Sequence, residues 1–140
     1  MGKTTKTGLA WKGEMSFEAE VNGHKFMIDA DEAVGGKDRG PRPKPLMLSA
    51  LAGCTAMDVI SILKKMRVTP DEFSVDVEAN NTEEHPKYYD AFIIYYKFKG
   101  KDLPKDKIEK AVNLSQDRYC GVSFMLSKAA DLKHEIIIEE

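Results

Sequence analysis

Cysteine is scarce in this sequence: of its 140 residues only two are cysteines, Cys54 and Cys120. Two thiols are too few for the disulfide framework that holds small secreted domains together. In a reducing compartment, two cysteines this far apart in sequence either pack in a core or carry transient redox chemistry. From the count alone, core packing is the more ordinary outcome, so the choice depends on the sequence around each cysteine.

An excess of charge of either sign is also absent. The 21 lysines and arginines nearly balance the 23 aspartates and glutamates, which leaves a formal net charge of -2. This composition provides no basic surface for nucleic acid or for an acidic membrane. The three histidines show no metal-ligand spacing and no CxxC motif is present. We therefore expect no zinc site, and nothing in the sequence indicates another cofactor.

Long apolar runs are limited to one, from Leu46 to Leu63. Asp58 lies at the centre of this run and would cost roughly 2.5–3.5 kcal/mol inside a bilayer. A buried central helix, packed on most sides, is therefore expected rather than a membrane span. No apolar stretch follows the first lysines, so no signal peptide is expected. These features predict a cytoplasmic protein with a single domain over residues 1–140.

The first third of the chain has the pattern of a β-hairpin. Apolar and polar residues alternate from Met15 to Val21, and Asn22-Gly23 is a strong signal for a two-residue turn. The returning strand continues through Phe26 and Ile28, and a short additional strand is expected before the hairpin, from Leu9 to Lys12. The glycine- and proline-rich segment from Asp31 to Lys44 is predicted to be a mobile loop.

The remaining pattern predicts an α+β fold, because strands and helices are segregated rather than alternating. Both faces of the strand from Tyr88 to Lys99 are apolar, so we expect it to be covered on both sides, with a partner subunit as one possible cover. The predicted elements are a helix from Pro45 to about Met66, strands at Phe73 to Asn80 and Tyr88 to Lys99, a helix from Pro104, a helix from Val122 to Ala130, and a strand from Leu132 to Ile138.

Cys54 lies on the only polar stripe of the long apolar helix. Asp58, Ser61 and Lys65 follow it at i+4, i+7 and i+11, which places all four on one face. A structural cysteine would more naturally lie on an apolar face, so this position favours a reactive thiol. The alternative is a small residue on a crowded face, since Ala52 and Gly53 are adjacent.

Cys120 lies in the segment RYCGVS, between two predicted helices. If a helix starts there, its first backbone N–H groups and its dipole would favour a thiolate, and Arg118 could act in the same way. The alternative is a small apolar residue at a tight turn. A thiol that attacks a peroxide also needs a cation or donor for the leaving oxygen. Arg39 and Arg42 are the candidates nearest to Cys54 in sequence, and Arg39 is preferred because its glycine-rich loop could close over the site; solvation at the surface is the alternative.

Two segments of the chain resemble the OsmC/Ohr family (osmotically inducible and organic hydroperoxide resistance proteins). The segment GPRPKPLMLSALAGCTAMDVISILKKM is similar to the proline-led central helix that carries the family's reactive cysteine. The segment AVNLSQDRYCGVSFMLSKAADLKHEI is similar to its second-cysteine region and closing strand. The AGCTAMDVISIL stretch and the RYC junction are most similar to the YhfA-like branch.

This resemblance implies an OsmC-like fold, with antiparallel sheets around long central helices, in an intertwined homodimer. It implies a cysteine-based peroxidase that reduces organic hydroperoxides in oxidative-stress defence, with Cys54 as the peroxidatic cysteine and Cys120 as the resolving one. The reductant would be a small dithiol or a lipoylated protein. No metal or organic cofactor is implied, nor any nucleic-acid or membrane partner.

The resemblance departs from the characterised peroxidases at the start of the central helix. Those enzymes carry a glutamate just after the proline, where it helps to orient a catalytic arginine. Lys44 and Pro45 stand at these positions here, and Arg39 is assigned as the arginine from its proximity in sequence alone. The alternative function is therefore a non-enzymatic dimer of the same fold, which binds a small lipophilic ligand or senses redox state.

Overall fold

The structure is a computed structural model that describes residues 2–140. The chain divides into two compact units, an N-terminal one that ends at Met47 and a C-terminal one, Leu48–Glu140. The expectation of a single domain over residues 1–140 stays a prediction.

The N-terminal unit contains a three-stranded antiparallel sheet in the order β1-β2-β3. Its strands are β1 (Gly8–Trp11), β2 (Phe17–Val21) and β3 (His24–Ile28), and a short 3-10 helix follows at Glu32–Val34. Asn22 and Gly23 connect β2 and β3 with φ values of 53° and 80°. Both values are positive, as a type I′ turn requires, so the predicted hairpin is confirmed.

A buried carboxylate, Asp29, organises the chain after β3. It accepts hydrogen bonds from the Ser16 hydroxyl at 2.8 Å and from the backbone N–H groups of Ala30, Lys37 and Arg39 at 2.7, 3.2 and 3.1 Å. Burial alone would raise the pKa of Asp29, but these four hydrogen bonds outweigh it and lower the pKa to about 2. The glycine-rich segment predicted as a mobile loop is therefore anchored to Asp29 at Lys37 and Arg39.

The C-terminal unit is built on a second three-stranded sheet, in the order β4-β5-β6. The elements of this part of the chain are α1 (Leu46–Lys65), β4 (Glu72–Asn81), β5 (Tyr89–Lys99), α2 (Lys105–Leu114), α3 (Gly121–Ser127) and β6 (Asp131–Glu139). Helix α1 begins and ends within one residue of its predicted bounds. The predicted α+β fold class is confirmed.

One strand pairing differs from the expected antiparallel sheets. Strands β4 and β5 are antiparallel, but β5 and β6 are parallel, with Ile94 opposite His134. A parallel pair needs a long crossover connection, and the helices α2 and α3 provide it between β5 and β6.

The core of the C-terminal unit lies between one face of β5 and single faces of α1 and α2. Its fully buried members include Leu51, Val59 and Leu63 of α1, Phe92, Ile94, Tyr96 and Phe98 of β5, and Ile108, Ala111 and Val112 of α2. Apolar burial of this kind contributes about 25 cal/mol per Å² removed from water, so these side chains provide the main stabilisation of the unit.

Within this chain, α1 is not packed on most sides as predicted. Its buried residues form one stripe at four-residue spacing, while Met57 on another face is 72% exposed. The second face of β5, which includes Ile93 and Tyr95, is only half-buried within this chain, so the expected cover of that face by a further partner stays a prediction. The reason is that one small sheet offers a helix one contact face, and apolar composition does not specify what covers the other faces.

Helix α1 is also the one helix among residues 2–140 that is long and apolar enough to cross a membrane. Length and composition are a weak indication, because core helices of soluble proteins meet the same criteria.

Candidate functional site

The fold brings the two cysteines together beside an aspartate. Three atoms lie within 4.8 Å of one another: the sulfur of Cys54 on α1, the sulfur of Cys120, and a carboxylate oxygen of Asp58. The neighbouring Cys120 thiol is one of the groups that raise the pKa of Cys54. Cys120 is buried, at 3% exposure, whereas Cys54 is half-buried. The two thiols are therefore close enough to react with each other after a small side-chain movement, although their catalytic roles stay predictions.

An irregular helical turn positions Cys120. After α2, residues Ser115–Tyr119 form a π-helical turn, and the Cys120 N–H donates to the Ser115 carbonyl at 2.8 Å. Turns of this kind are rare and occur frequently at functional sites. Cys120 is then extended and caps α3, its sulfur accepting from the Ser123 N–H at 3.4 Å. The third helix, predicted from Val122 to Ala130, is thus present and runs from Gly121 to Ser127 with Cys120 as its N-cap.

The first turn of α3 also acts on Cys54. The Val122 backbone N–H hydrogen-bonds to the Cys54 sulfur, and this contact favours the thiolate. Burial raises the pKa of Cys54 above its ordinary value, and Cys120 and the Asp58 carboxylate raise it further. No lysine or arginine is among the described groups that shift the pKa of Cys54. The thiol is therefore mostly protonated at neutral pH.

Arg118, which the sequence offered as a cation that could favour a Cys120 thiolate, has a different partner in the structure. Its guanidinium lies over the ring of Tyr119, with 5.6 Å between the carbon Cζ and the ring centroid. Tyr119 is itself 55% exposed, so this cation faces the surface side of the turn.

A buried network of side-chain hydrogen bonds lies next to the thiol cluster. The hydroxyl of Thr55, adjacent to Cys54 in sequence, shares hydrogen bonds with the Tyr96 and Ser115 hydroxyls at 2.6 and 2.7 Å and accepts from Gln116 at 3.2 Å. Gln116 also donates to the Tyr96 hydroxyl at 2.6 Å, and Ser115 donates to Asp58 at 3.0 Å. The network therefore fixes one oxygen of the carboxylate that faces the thiols.

Thr55, Tyr96 and Gln116 belong to the site, although their positions in the sequence did not indicate it. Thr55 stands in an apolar helix and Tyr96 in an apolar strand, where both resemble ordinary core positions. The one available signal was the π-turn segment, whose polar residues SQ interrupt the apolar face of α2 next to Cys120.

The polar stripe of α1 opens onto a cavity of about 360 Å³. Asp58, Ser61 and Lys65 line it together with Tyr119, and Ile62 and Leu114 add apolar surface. The helical spacing read from the sequence is therefore confirmed for these three polar residues. Asp58 belongs both to the lining of this cavity and to the thiol cluster.

Arg39 lies in the N-terminal unit, where its partners are polar residues of the same unit. Its guanidinium donates to the Ser16 hydroxyl at 3.1 Å and contacts the Glu14 carboxylate at 3.4 Å. Glu14 is thus the carboxylate beside this arginine, a pairing that was not predicted from the sequence. The assignment of Arg39 to Cys54 stays a prediction.

Among residues 2–140, the thiol cluster of Cys54, Cys120 and Asp58 is the group of side chains that could hold a metal ion. Cys54, Cys120 and Asp58 each offer one ligand atom. These residues have no metal-ligand spacing in the sequence, because two of them come from α1 and the third follows α2. Chemically, the cluster can form a disulfide, attack an electrophile through a thiolate, or bind a thiophilic cation.

Comparisons with known proteins agree with this architecture. The family profile described as OsmC-like protein matches residues 35–135. Protein YhfA of Escherichia coli strain K12 is 32% identical over 127 residues, which cover 90% of this chain and 92% of YhfA. A crystal structure of a hypothetical protein from Aquifex aeolicus VF5 is similar with a TM-score of 0.83 and 27% identity, over 99% of this chain and 100% of that one. An organic hydroperoxide resistance protein OsmC from Legionella pneumophila has the same fold, with a TM-score of 0.71 and 14% identity over 96% of this chain and 97% of that one. The chain belongs to the OsmC-like protein family.

Proposed function

We propose that this protein is a thiol-dependent peroxidase that reduces organic hydroperoxides in oxidative-stress defence. The observation that carries the proposal is the convergence of Cys54 and Cys120, the only two cysteines of the chain, within 4.8 Å of each other. Family relatives described as organic hydroperoxide resistance proteins, such as the Legionella protein, support the choice of substrate class. The half-buried Cys54 is the better nucleophile, because a hydroperoxide can reach it more easily than the buried Cys120.

The proposed reaction has three balanced steps. The Cys54 thiolate attacks the outer oxygen of the hydroperoxide, the O–O bond breaks, and the alkoxide leaves and takes a proton to become an alcohol. The resulting Cys54 sulfenic acid is attacked by Cys120, which forms a disulfide and releases water. A dithiol reductant, either small or carried as a lipoyl group on a protein, returns two electrons and two protons by thiol–disulfide exchange.

The electrostatics of the site predict a pH-dependent enzyme. Burial, Cys120 and Asp58 raise the pKa of Cys54, so the thiolate fraction and the rate should rise as the pH increases. Arg39 is proposed as the residue that polarises the leaving oxygen, and its pairing with Glu14 supports this by supplying the carboxylate partner that Lys44 and Pro45 do not.

Variants of the two cysteines test the proposal directly. Cys54→Ser should abolish catalytic consumption of cumene hydroperoxide. Cys120→Ser should allow one turnover and then stop at a Cys54 sulfenic acid, which a dione reagent traps. Ser123→Ala is the matched control, because it alters a buried side chain of the same turn and leaves both thiols in place. Unchanged peroxide consumption by Cys54→Ser would contradict the proposal.

The proposal includes a cytoplasmic homodimer. Its support is the apolar surface that the single chain leaves open on α1, where Met57 is 72% and Ile60 is 43% exposed. Apolar patches of this kind commonly mark protein–protein interfaces. Light scattering should give twice the chain mass, and Met57→Lys should shift the protein toward the monomer. A wild-type protein that is monomeric at micromolar concentration would contradict this part. The alternative of a non-enzymatic dimer that binds a lipophilic ligand or senses redox state stays a prediction.

A further inference from the structure

We propose that Cys54, Cys120 and Asp58 form a zinc site in the reduced protein. This reverses the expectation of no zinc site, which rested on sequence spacing alone. The three ligand atoms already lie within 4.8 Å of one another. Around a tetrahedral zinc ion with Zn–S of about 2.3 Å and Zn–O of about 2.0–2.2 Å, neighbouring ligand atoms are roughly 3.5–3.8 Å apart. Side-chain adjustments of about 1 Å would therefore be enough to close the site.

Hydrogen bonds hold each of the three ligands from outside the cluster. The N–H groups of Val122 and Ser123 contact the sulfurs of Cys54 and Cys120, and the Ser115 hydroxyl donates to Asp58 at 3.0 Å. Protein ligands of zinc are typically oriented by such outer hydrogen bonds, and changing them usually lowers affinity by about 10–100-fold. The supports that a metal site needs are thus already present around the cluster.

The charges of the cluster favour a cation. The ligand atoms of two thiols and one carboxylate, all groups that can carry negative charge, converge within 4.8 Å of one another. A divalent ion would offset the repulsion among them, because it binds both thiolates and the carboxylate at once. Two sulfurs with one oxygen suit zinc, whereas magnesium and calcium prefer oxygen ligands alone.

The cavity beside Asp58 supplies access for the ion. It has a volume of about 360 Å³ and Asp58 is on its wall. Three protein ligands leave the fourth position of a tetrahedral site to a water molecule from this cavity. Binding releases the two thiol protons and leaves the oxidation state of both sulfurs unchanged. The site therefore exists only while Cys54 and Cys120 are reduced, and the proposal does not depend on the peroxidase reaction.

Competition titration of the reduced full-length protein tests the site. Metal-free protein is titrated anaerobically with Zn²⁺ against a chromophoric chelator, and we expect one zinc ion per chain. Replacing Zn²⁺ with Co²⁺ should give a thiolate-to-cobalt charge-transfer band, which reports sulfur ligation directly. Asp58→Asn should weaken zinc binding at least about tenfold, while its amide oxygen can still accept from Ser115. Asp106→Asn, an exposed residue of α2, is the matched control and should bind as the wild type does.

Two results would overturn the proposal. One is a wild-type protein that does not compete for one equivalent of zinc. The other is zinc affinity and a cobalt band that persist in both Cys54→Ser and Cys120→Ser. Circular dichroism of each variant separates loss of a ligand from loss of the fold. Because peroxide consumption is measured on metal-free protein, failure of the zinc site and failure of the peroxidase are distinguishable.

Discussion

The buried network around Thr55 makes a quantitative prediction about stability. Thr55→Val keeps the shape of the side chain and removes a fully buried hydroxyl that has three hydrogen-bond partners, Tyr96, Ser115 and Gln116. Each bond contributes about 0.5–1.5 kcal/mol, and a buried group left without a partner costs about 1–3 kcal/mol. Tyr96 and Ser115 each keep one other partner. The free energy of unfolding should therefore fall by about 1.5–3 kcal/mol.

The matched control removes a buried hydroxyl that has no partner. Among the described residues, the Oγ atom of Ser123 is buried without a hydrogen bond. Ser123→Ala should therefore range from no change to about 1 kcal/mol of stabilisation, because an unsatisfied polar atom is removed. Urea unfolding at equal protein concentration measures both variants. If Thr55→Val is no less stable than Ser123→Ala, the network does not stabilise the protein as described.

Three further predictions concern single residues. The pKa of Asp29 is about 2 in the folded protein against an ordinary 3.8, so its contribution to stability is present above pH 4 and is lost as the pH falls toward 2. Asp29→Asn should therefore make the urea midpoint less dependent on pH between pH 4 and pH 2. An unchanged pH dependence would contradict the assignment. In metal-free protein, Asp58→Asn removes one cause of the raised pKa of Cys54, so the pH–rate profile for alkylation by iodoacetamide should move to lower pH. A profile that does not move would show that Asp58 does not act on the thiol. A Cβ atom at Gly36 would overlap the main chain at Ala30, just after β3, so Gly36→Ala should lower the free energy of unfolding by roughly 1–3 kcal/mol, measured in urea. Gly8→Ala is the control and should leave that free energy unchanged, because a Cβ atom there meets no atom within 4 Å.

The parts of the fold that were predictable are those that local sequence dictates. Asn22-Gly23 specifies a turn with two positive φ values, and the structure has both. Pro45 precedes a helix that begins at Leu46, since a missing N–H costs nothing at a helix start. The position of Cys120 at a helix start also follows from its own segment, because the glycine after it interrupts the helical pattern.

The parts that were not predictable depend on residues that are distant in sequence. Periodicity identifies apolar faces of α1 and β5, but it cannot say which of them a partner covers, and one chain leaves several open. The parallel pairing of β5 and β6 is set by how the intervening helices cross, which no local signal reports. The role of Asp29 could not be predicted either, because it depends on backbone N–H groups of Lys37 and Arg39 that come close only in the folded loop.

The candidate site shows the same division. The polar stripe of α1 was readable because Asp58, Ser61 and Lys65 share one helical face with Cys54. The metal-ligand set was not, because Cys120 reaches the stripe only through the π-helical turn at Ser115–Tyr119. Family resemblance paired the two cysteines, whereas the residues themselves left a structural role for each thiol open.

Titration of the reduced, metal-free protein with cumene hydroperoxide tests whether Cys54 and Cys120 act together as a peroxidase. Free thiols are counted during the titration, and mass spectrometry maps any disulfide that forms. We expect rapid loss of two thiols per chain and an intramolecular bridge between Cys54 and Cys120. Slow, unselective oxidation without that bridge would contradict it.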